Sequence, residues 1–271
     1  MDIHDLTDIV WERNLTGYTS GGAYFKASIT DANDANKRYY CKLSNYDDEN
    51  GFIGFESVYE YLASKLGLYL GFDVLDCEIL KARIVHNGRE YVTFVQKALD
   101  FLPVGMSKLV FEKHYEMEKQ DGETRLEFLI RHGFAARAYE MFLFDYLIYN
   151  RDRHCNNLEF IKSDSIKLAP LFDNGVSFFA PYAGKRSEID KFDIMSNNIT
   201  NNDFGSKYLE DNLMLIDRDD WVLKTLDDND LWHTLFSVFG DDASFPSWHR
   251  DRAFELIIRR YHHAKALLDN R

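Results

Sequence analysis

Three side chains in the middle of the chain have the types and the spacing that phosphoryl transfer to a hydroxyl needs. Asp152 lies five residues before Asn157 in Asn150-Arg151-Asp152-Arg153-His154-Cys155-Asn156-Asn157. Asp173 follows Asp152 by 21 positions, in Asp173-Asn174-Gly175. Such chemistry wants one carboxylate at the attacking oxygen, with an amide oxygen and a second carboxylate to hold Mg²⁺ against the phosphates. Taken alone, Asp-x-x-x-x-Asn is common and reads equally as a polar turn after a helix. His154 has no second His or Cys at ligand spacing, so its plainer reading is a brace for this loop. Nothing near Cys155 would activate its thiol.

The elements ahead of the loop supply the other parts that such chemistry would need, in order. Ser20-Gly21-Gly22-Ala23 sits between aromatic, β-prone flanks. It reads as a hairpin turn or as a loop whose backbone N–H groups cover phosphates, where glycine permits close approach. The strand Arg38–Leu43 carries Lys42, which either points to solvent or meets ATP phosphates. A helix follows from Glu56, with Val58, Tyr59, Leu62 and Leu66 at helical spacing and Gly67 as its stop. Glu56 either complements the helix dipole or is the partner of Lys42. Glu78–Ile84, Asn87-Gly88 and Tyr91–Lys97 read as a hairpin. Residues 1–14 read as a polar lead-in, and Ala98–Gly105 as the crossing into a second unit.

Beyond Leu109 the pattern is mostly helical. Arg125–Tyr149 is apolar nearly all round and predicts one long buried helix, interrupted by Asp145. A buried carboxylate needs a partner, so Asp145 either holds the loop that follows or sits at the surface. Leu158–Ile161 and Ile166–Ala169 predict a short hairpin, and Arg250–Leu268 a closing helix. Residues 185–230 are rich in Asn and Asp, with two modest helical pieces and no assigned chemistry. The expected fold is α+β and protein-kinase-like in two lobes. Residues 1–100 form a small antiparallel-sheet lobe with one helix, and residues 101–271 a larger helical lobe.

Composition sets the outer limits. The chain has 271 residues, 45% hydrophobic and 15% aromatic, and its net charge is −13. It has ample surface to bury, and its acidity excludes direct nucleic-acid binding, which needs a basic stripe. A basic protein segment or a cationic small molecule suits it better. Cys41, Cys77 and Cys155 are odd in number and scattered, which predicts a reducing compartment with no disulfide framework and no zinc site. The start lacks the order of a signal peptide, and the most apolar run, Met141–Tyr149, is too short to span a bilayer. The expected location is the cytoplasm.

Asn150-x-Asp152-x-His154-x-x-Asn157, with Pro170-x-Phe172-Asp173 downstream, resembles the HipA-type serine/threonine kinases of bacterial toxin–antitoxin systems. Ser20-Gly21-Gly22-Ala23 with Lys26 is similar to that family's phosphate loop, and Glu56 with Leu66-Gly67-Leu68 to its glutamate helix. The resemblance runs from about residue 16 to 180. About 17 residues precede the loop, where full-length members carry a domain-sized piece, so the likeness is to the compact members. More distantly, Asp152-Arg153-His154-x-x-Asn157 looks like the phosphatidylinositol kinases.

The resemblance implies an ATP- and Mg²⁺-dependent protein kinase. By position, Asp152 would orient the acceptor hydroxyl, Asn157 and Asp173 would bind Mg²⁺, and Lys42 with Glu56 would meet the phosphates. Ser20, Gly21, Gly22, Ala23 and Lys26 would cover the phosphates, adenine would sit at Val95-Gln96-Lys97, and His154 would lie on the nucleotide side of the loop. It also implies autophosphorylation at Ser20 or Thr19, a protein substrate with a Ser or Thr acceptor such as a translation factor or aminoacyl-tRNA synthetase, and an antitoxin partner. Three alternatives stay open: a phosphoinositide kinase, a small-molecule phosphotransferase, and a non-catalytic module on a kinase fold. Lys185, Arg186 and Lys191 are the only cations between Asp173 and the acidic tract, few for an anionic lipid surface.

Overall fold

The computed structural model describes residues 1–13, 24–31, 33–34, 36–102, 105–217 and 223–270. The first part comprises β1 (Ile3–Leu6), β2 (Lys26–Thr30), β3 (Arg38–Leu43), the short β4 (Tyr46–Asp47) and β5 (Gly51–Phe52), α1 (Glu56–Leu70), β6 (Cys77–His86) and β7 (Arg89–Leu99). Five of these strands form one sheet in the order β1-β6-β7-β3-β2. It is antiparallel except at β1, which pairs parallel to β6. Asn87 and Gly88, at φ 50° and 73°, close the β6–β7 hairpin, the geometry for which Asn-Gly is selected. The expected lead-in therefore contains an edge strand. Ile3–Leu6 is short and mostly exposed, so no alternation of apolar residues marks it.

The sheet has two unlike faces. Ala82, Ile84, Cys41, Leu43 and Val95 gather under Trp11 in a small cluster. The other face carries Cys77, Ile79, Phe94 and Ala98 into the main core with α1. Helix α1 is buried nearly all round, through Val58, Tyr59, Leu62, Leu66 and Leu70. Gly67 does not stop it: the helix runs on to Leu70, and Gly71 takes the left-handed cap. A Cβ at Gly67 would lie 2.6 Å from Val74 Cγ1. Glycine is there to let the following loop approach the helix.

The remainder is built from β8 (Ser107–Val110), α2 (Phe111–Glu118), α3 (Arg125–Arg131), α4 (Ala135–Ile148), β9 (Asp152–Arg153), β10 (Glu159–Lys162), β11 (Ile166–Leu168), α5 (Arg186–Lys191), β12 (Asn201–Asn202), α6 (Leu209–Leu213), α7 (Asp228–Phe236) and α8 (Ser247–Asp269). The long helix expected over 125–149 is two helices. Gly133 at φ 82° turns the chain, and its N–H and that of Phe134 bond back to Ile130 O and Leu129 O. Glycine reaches that conformation without the cost that a Cβ imposes. Because α3 and α4 are both apolar, periodicity does not reveal the break. Helix α4 is the centre of this part, with Met141, Phe142, Leu143, Phe144, Leu147 and Ile148 buried against α6 and α8. Among the described residues no helix is long and apolar enough to cross a membrane.

Replacing Gly67 by Ala forces Val74 to shift or the helix to move, a form of overpacking that costs about 1–3 kcal/mol. Urea unfolding of Gly67→Ala should show that loss with an unchanged m-value. An unaltered midpoint would show that the 2.6 Å approach relaxes freely.

Candidate active site

Register brings three polar side chains into one row on the sheet. Lys26 on β2 lies opposite Lys42 on β3, and Lys42 lies opposite Gln96 on β7. Directly paired residues share a face, and all three line one cleft. Two residues along, the next row on that face brings Tyr40 and Ala98 into the same cleft. Like charges directly opposite destabilise a sheet unless an anion stands between them. Lys42 Nζ meets two anions: Glu60 Oε1 at 2.7 Å, and Asp173 Oδ1 in a close contact.

These contacts set the protonation states. Burial alone would lower the Lys42 pKa, but Asp173 and Glu60 outweigh it and hold the ammonium above its ordinary range. Burial would likewise raise the Asp173 carboxyl. Attraction to Lys42, then to Lys26 and Arg153, wins and pushes it down to about 2. Lys26 goes the other way, lowered by burial and by the nearby Lys42 against the pull of Asp173. The helix partner of Lys42 is thus Glu60, one turn beyond the Glu56 favoured by sequence. Glu56 accepts instead from the Asn45 N–H at 3.1 Å, and burial raises its pKa. Positions i and i+4 share a helix face, so the sequence offers two carboxylates for one role and does not separate them.

Glu60 also ties α1 to the second loop, since its Oε2 accepts from the Asn174 N–H at 2.8 Å. Gly175 makes that approach possible, because a Cβ there would lie 3.2 Å from Glu56 O. Asp173 itself sits at φ 57°, a left-handed conformation that non-glycine residues adopt at a cost.

Both loops are fastened by one guanidinium. Arg153 and Asp145 have fully buried side chains and pair at 2.8 Å. Arg153 uses all five N–H donors. Nε goes to Asp145 Oδ2 at 3.0 Å, Nη1 to Asn157 O and Phe172 O at 3.3 and 3.0 Å, and Nη2 to Asp145 Oδ1 and Asn174 Oδ1 at 2.8 and 2.7 Å. Asn150 Nδ2 donates to the same Asp145 Oδ1 at 2.8 Å, and its own Oδ1 accepts from the Asp152 N–H at 3.1 Å. Asp145 therefore holds the following loop, as its interruption of an apolar helix suggests.

In that frame Asn157 Nδ2 donates to Asp152 O at 2.8 Å. Its Oδ1 is buried and meets no hydrogen-bond donor among the described residues. A buried amide oxygen without a partner is costly, and a hard cation is the kind of ligand that such an oxygen accepts. Asn157 and Asp173 thus fit the donor set of a Mg²⁺ site. Asp152 Oδ1 accepts from Asn201 Nδ2 at 2.6 Å, because β12 pairs parallel with β9 and sets Asn201 beside Asp152. The sequence reading missed Asn201. It lies in the Asn-rich tract, 49 residues away, with no periodic signal. His154 caps the turn: its Nδ1 accepts from the Asn156 N–H at 3.2 Å, so Nε2 carries the proton and faces Asp152 Oδ2 at 3.8 Å. It braces the loop and does not line the cleft.

The other end of the cleft is mostly apolar, with Lys108 beside Phe101 and Glu159 at its edge. Leu75, Ala98, Phe101 and Phe172 line it with Tyr40, and the rings of Phe101 and Phe172 stack at 5.9 Å. The expected adenine site at Val95-Gln96-Lys97 needs correction. Only Gln96 faces the cleft. Val95 is buried in the Trp11 cluster, and Lys97 lies 4.1 Å from the Tyr39 ring and 3.6 Å from Glu78. Strand alternation turns 95 and 97 to the opposite face, and β7 runs on to Leu99 before the chain crosses. Thr19, Ser20, Gly21, Gly22 and Ala23 lie outside the described residues. Tyr24, just beyond them, places its ring 5.2 Å from Lys42 Nζ.

A sheet with one buried helix glutamate reaching its lysine, followed by helices that carry an Asp/Asn loop and an Asp-x-Gly loop, is a kinase-like arrangement. Among solved structures the chain is similar to the Helicobacter pylori proinflammatory kinase CtkA, at TM-score 0.63 and 17% identity over 96% of this chain and 94% of that one. At that identity the likeness is one of fold. The Shewanella oneidensis MR-1 toxin–antitoxin protein HipA, solved with HipB and operator DNA, overlaps less well, at TM-score 0.48 and 13% identity over 93% of this chain and 67% of that one. No protein-family model and no curated protein matches the chain.

The depressed Asp173 carboxyl makes a pH prediction with a definite sign. Its folded-state value of about 2 lies below the ordinary 3.8. It therefore stabilises the fold fully above about pH 4 and loses that contribution as pH falls toward 2. Chemical unfolding of wild type and Asp173→Asn should show their difference shrinking across that window. A difference that stays constant from pH 6 to 2.5 would show that Asp173 is not held ionised by Lys42.

Proposed function

We propose that the chain is an ATP- and Mg²⁺-dependent serine/threonine protein kinase of the HipA type, with its nucleotide in a cleft between an N-terminal lobe (1–100) and a C-terminal lobe (101–271). The observation that carries this reading is the make-up of the cleft that holds Lys26, Lys42 and Asp173. Its mostly apolar end, with the stacked Phe101 and Phe172, suits a base. Its other end sets two lysines side by side against an ionised Asp173, which suits a polyphosphate and its metal.

In this reading each residue has a stated task. Lys42, held by Glu60, and Lys26 neutralise phosphate oxygens. Asn157 Oδ1 and Asp173 would hold Mg²⁺, which when bound would offset the charge on the phosphates. Asp152, aligned by Asn201 and His154, orients the acceptor hydroxyl and takes its proton. Lys42 and Asp173 stand in contact, so the cation that would meet the phosphates and the carboxylate that would hold the metal lie side by side. Ser20 and Thr19 remain the proposed self-phosphorylation positions. A protein acceptor, including a translation factor or aminoacyl-tRNA synthetase, and an antitoxin partner follow from the same family reading. The net charge of −13 favours a basic acceptor segment.

Purified chain given γ-labelled ATP and Mg²⁺ should transfer label to its own Ser or Thr residues or to a basic protein. Asp152→Ala and Asp173→Ala should each lower the rate by about 10²-fold or more. Asn201→Ala should lower it by about 10- to 100-fold through misplacement of Asp152. Equal labelling by wild type and Asp173→Ala would sink the reading. Label confined to phosphoinositide vesicles or to a cationic small molecule would replace the protein acceptor with that one.

A further inference from the structure

Three side chains that play no part in the cleft converge elsewhere. His114 and Glu118 are one helical turn apart on α2, and His132 caps the C-terminus of α3. Glu118 Oε1 lies 3.5 Å from His114 Nδ1, and Glu118 Oε2 lies 3.6 Å from His132 Nε2. All three ligand atoms fall within 4.8 Å of one another. We propose that His114, Glu118 and His132 form a site for a divalent transition metal of the zinc class, distinct from the Mg²⁺ pair Asn157 and Asp173.

The geometry matches that chemistry. Bonds of about 2.0–2.1 Å from nitrogen and oxygen to zinc put tetrahedral ligands about 3.3 Å apart. Two of the three separations are already near that value, and the third lies within 4.8 Å. Two imidazoles and one carboxylate, with a fourth position for water, is a known donor set for zinc.

Hydrogen bonding points the same way. His132 Nδ1 lies 2.9 Å from Phe128 O. A carbonyl oxygen only accepts, so Nδ1 carries the hydrogen. In the neutral form of the ring, Nε2 is left with a lone pair facing the Glu118 carboxylate at 3.6 Å, and a cation between the two would offset their repulsion. A backbone carbonyl on the far nitrogen is also the arrangement that orients metal-binding histidines. Burial lowers the His114 pKa against the pull of Glu118, which favours that imidazole as a neutral ligand.

The surroundings suit a cation as well. Glu118 ends α2 and His132 caps α3, so two helix C-termini, each partly negative, meet at the site. His114 is fixed edge-on against Phe128 and Phe160, at 5.6 and 5.2 Å between centroids. Glu118 is half-exposed, which leaves the ion a path from solvent. Spacing in sequence hides the site, because its third member belongs to another helix and no cysteine takes part.

Co²⁺ is the probe, since nitrogen-rich tetrahedral coordination gives it intense visible bands that an octahedral oxygen site lacks. Titration of the full chain at neutral pH should develop such bands with one equivalent, and Zn²⁺ should displace them. Glu118→Gln, at a half-exposed position that tolerates the change, and His132→Ala should each weaken binding by at least about tenfold, with circular dichroism unchanged. Asp173→Ala should retain the bands, which separates this site from the cleft. Failure of the wild type to develop them at millimolar Co²⁺ overturns the proposal. So does a titration that Glu118→Gln and His132→Ala leave unaltered. In that case the trio is an ion-pair cluster of protonated imidazoles.

Discussion

The buried pair Asp145–Arg153 is the constraint on which the rest of the site depends. A guanidinium with no exposure is tolerable only when every donor is met, and here each one is. Its partners are the end of α4, the carbonyl of Asn157, the carbonyl of Phe172 and the side chain of Asn174. One cation therefore sets the distance between the loop that carries Asp152 and Asn157 and the loop that carries Asp173. Lysine offers three donors on a point charge instead of five in a planar fork and would not span these partners. Removing either member of such a pair strands the other charge, at about 3–5 kcal/mol. Both loops would lose register with it.

A second constraint comes from the sheet. The pairing of β2 with β3 puts Lys26 opposite Lys42, which only anions make tolerable. Asp173 and Glu60 supply them on the protein side. Glu60 joins this cluster to the first constraint, because its other oxygen holds the Asn174 N–H while Asn174 Oδ1 holds Arg153. A continuous polar chain thus runs from a strand of the sheet, through α1, to the loops beyond α4. Residues from four separate stretches of sequence keep fixed distances without a covalent link.

Much of this was legible in the sequence, for identifiable reasons. The strands Arg38–Leu43, Glu78–Ile84 and Tyr91–Lys97, the Asn-Gly hairpin and the closing helix carry periodic or turn signals that local chemistry enforces. The contact between Lys42 and Asp173 was not legible, because it joins a strand to a loop 131 residues further on. The errors share a different cause. Glu56 and Glu60 occupy one helix face, so pattern alone does not choose between them. The split of 125–149 turns on one glycine between two apolar helices. Val95 and Lys97 were misplaced because the crossing begins after Leu99, and an error of register flips every side chain to the other face. Asn201 gave no signal at all, since its contact with Asp152 depends on a two-residue strand pairing.

That pairing joins residues made at different times. Asp152 is made early, but the amide that aligns it arrives 49 residues later. The segment around it is anchored later still, by Arg260 on α8, which donates to the carbonyls of Ile194 and Ser196 at 2.8 and 2.7 Å. During synthesis the Asp152 carboxylate precedes the helix that anchors its aligning segment by roughly a hundred residues, several seconds at about 5–20 residues per second. Its alignment therefore depends on stretches that are made long after it.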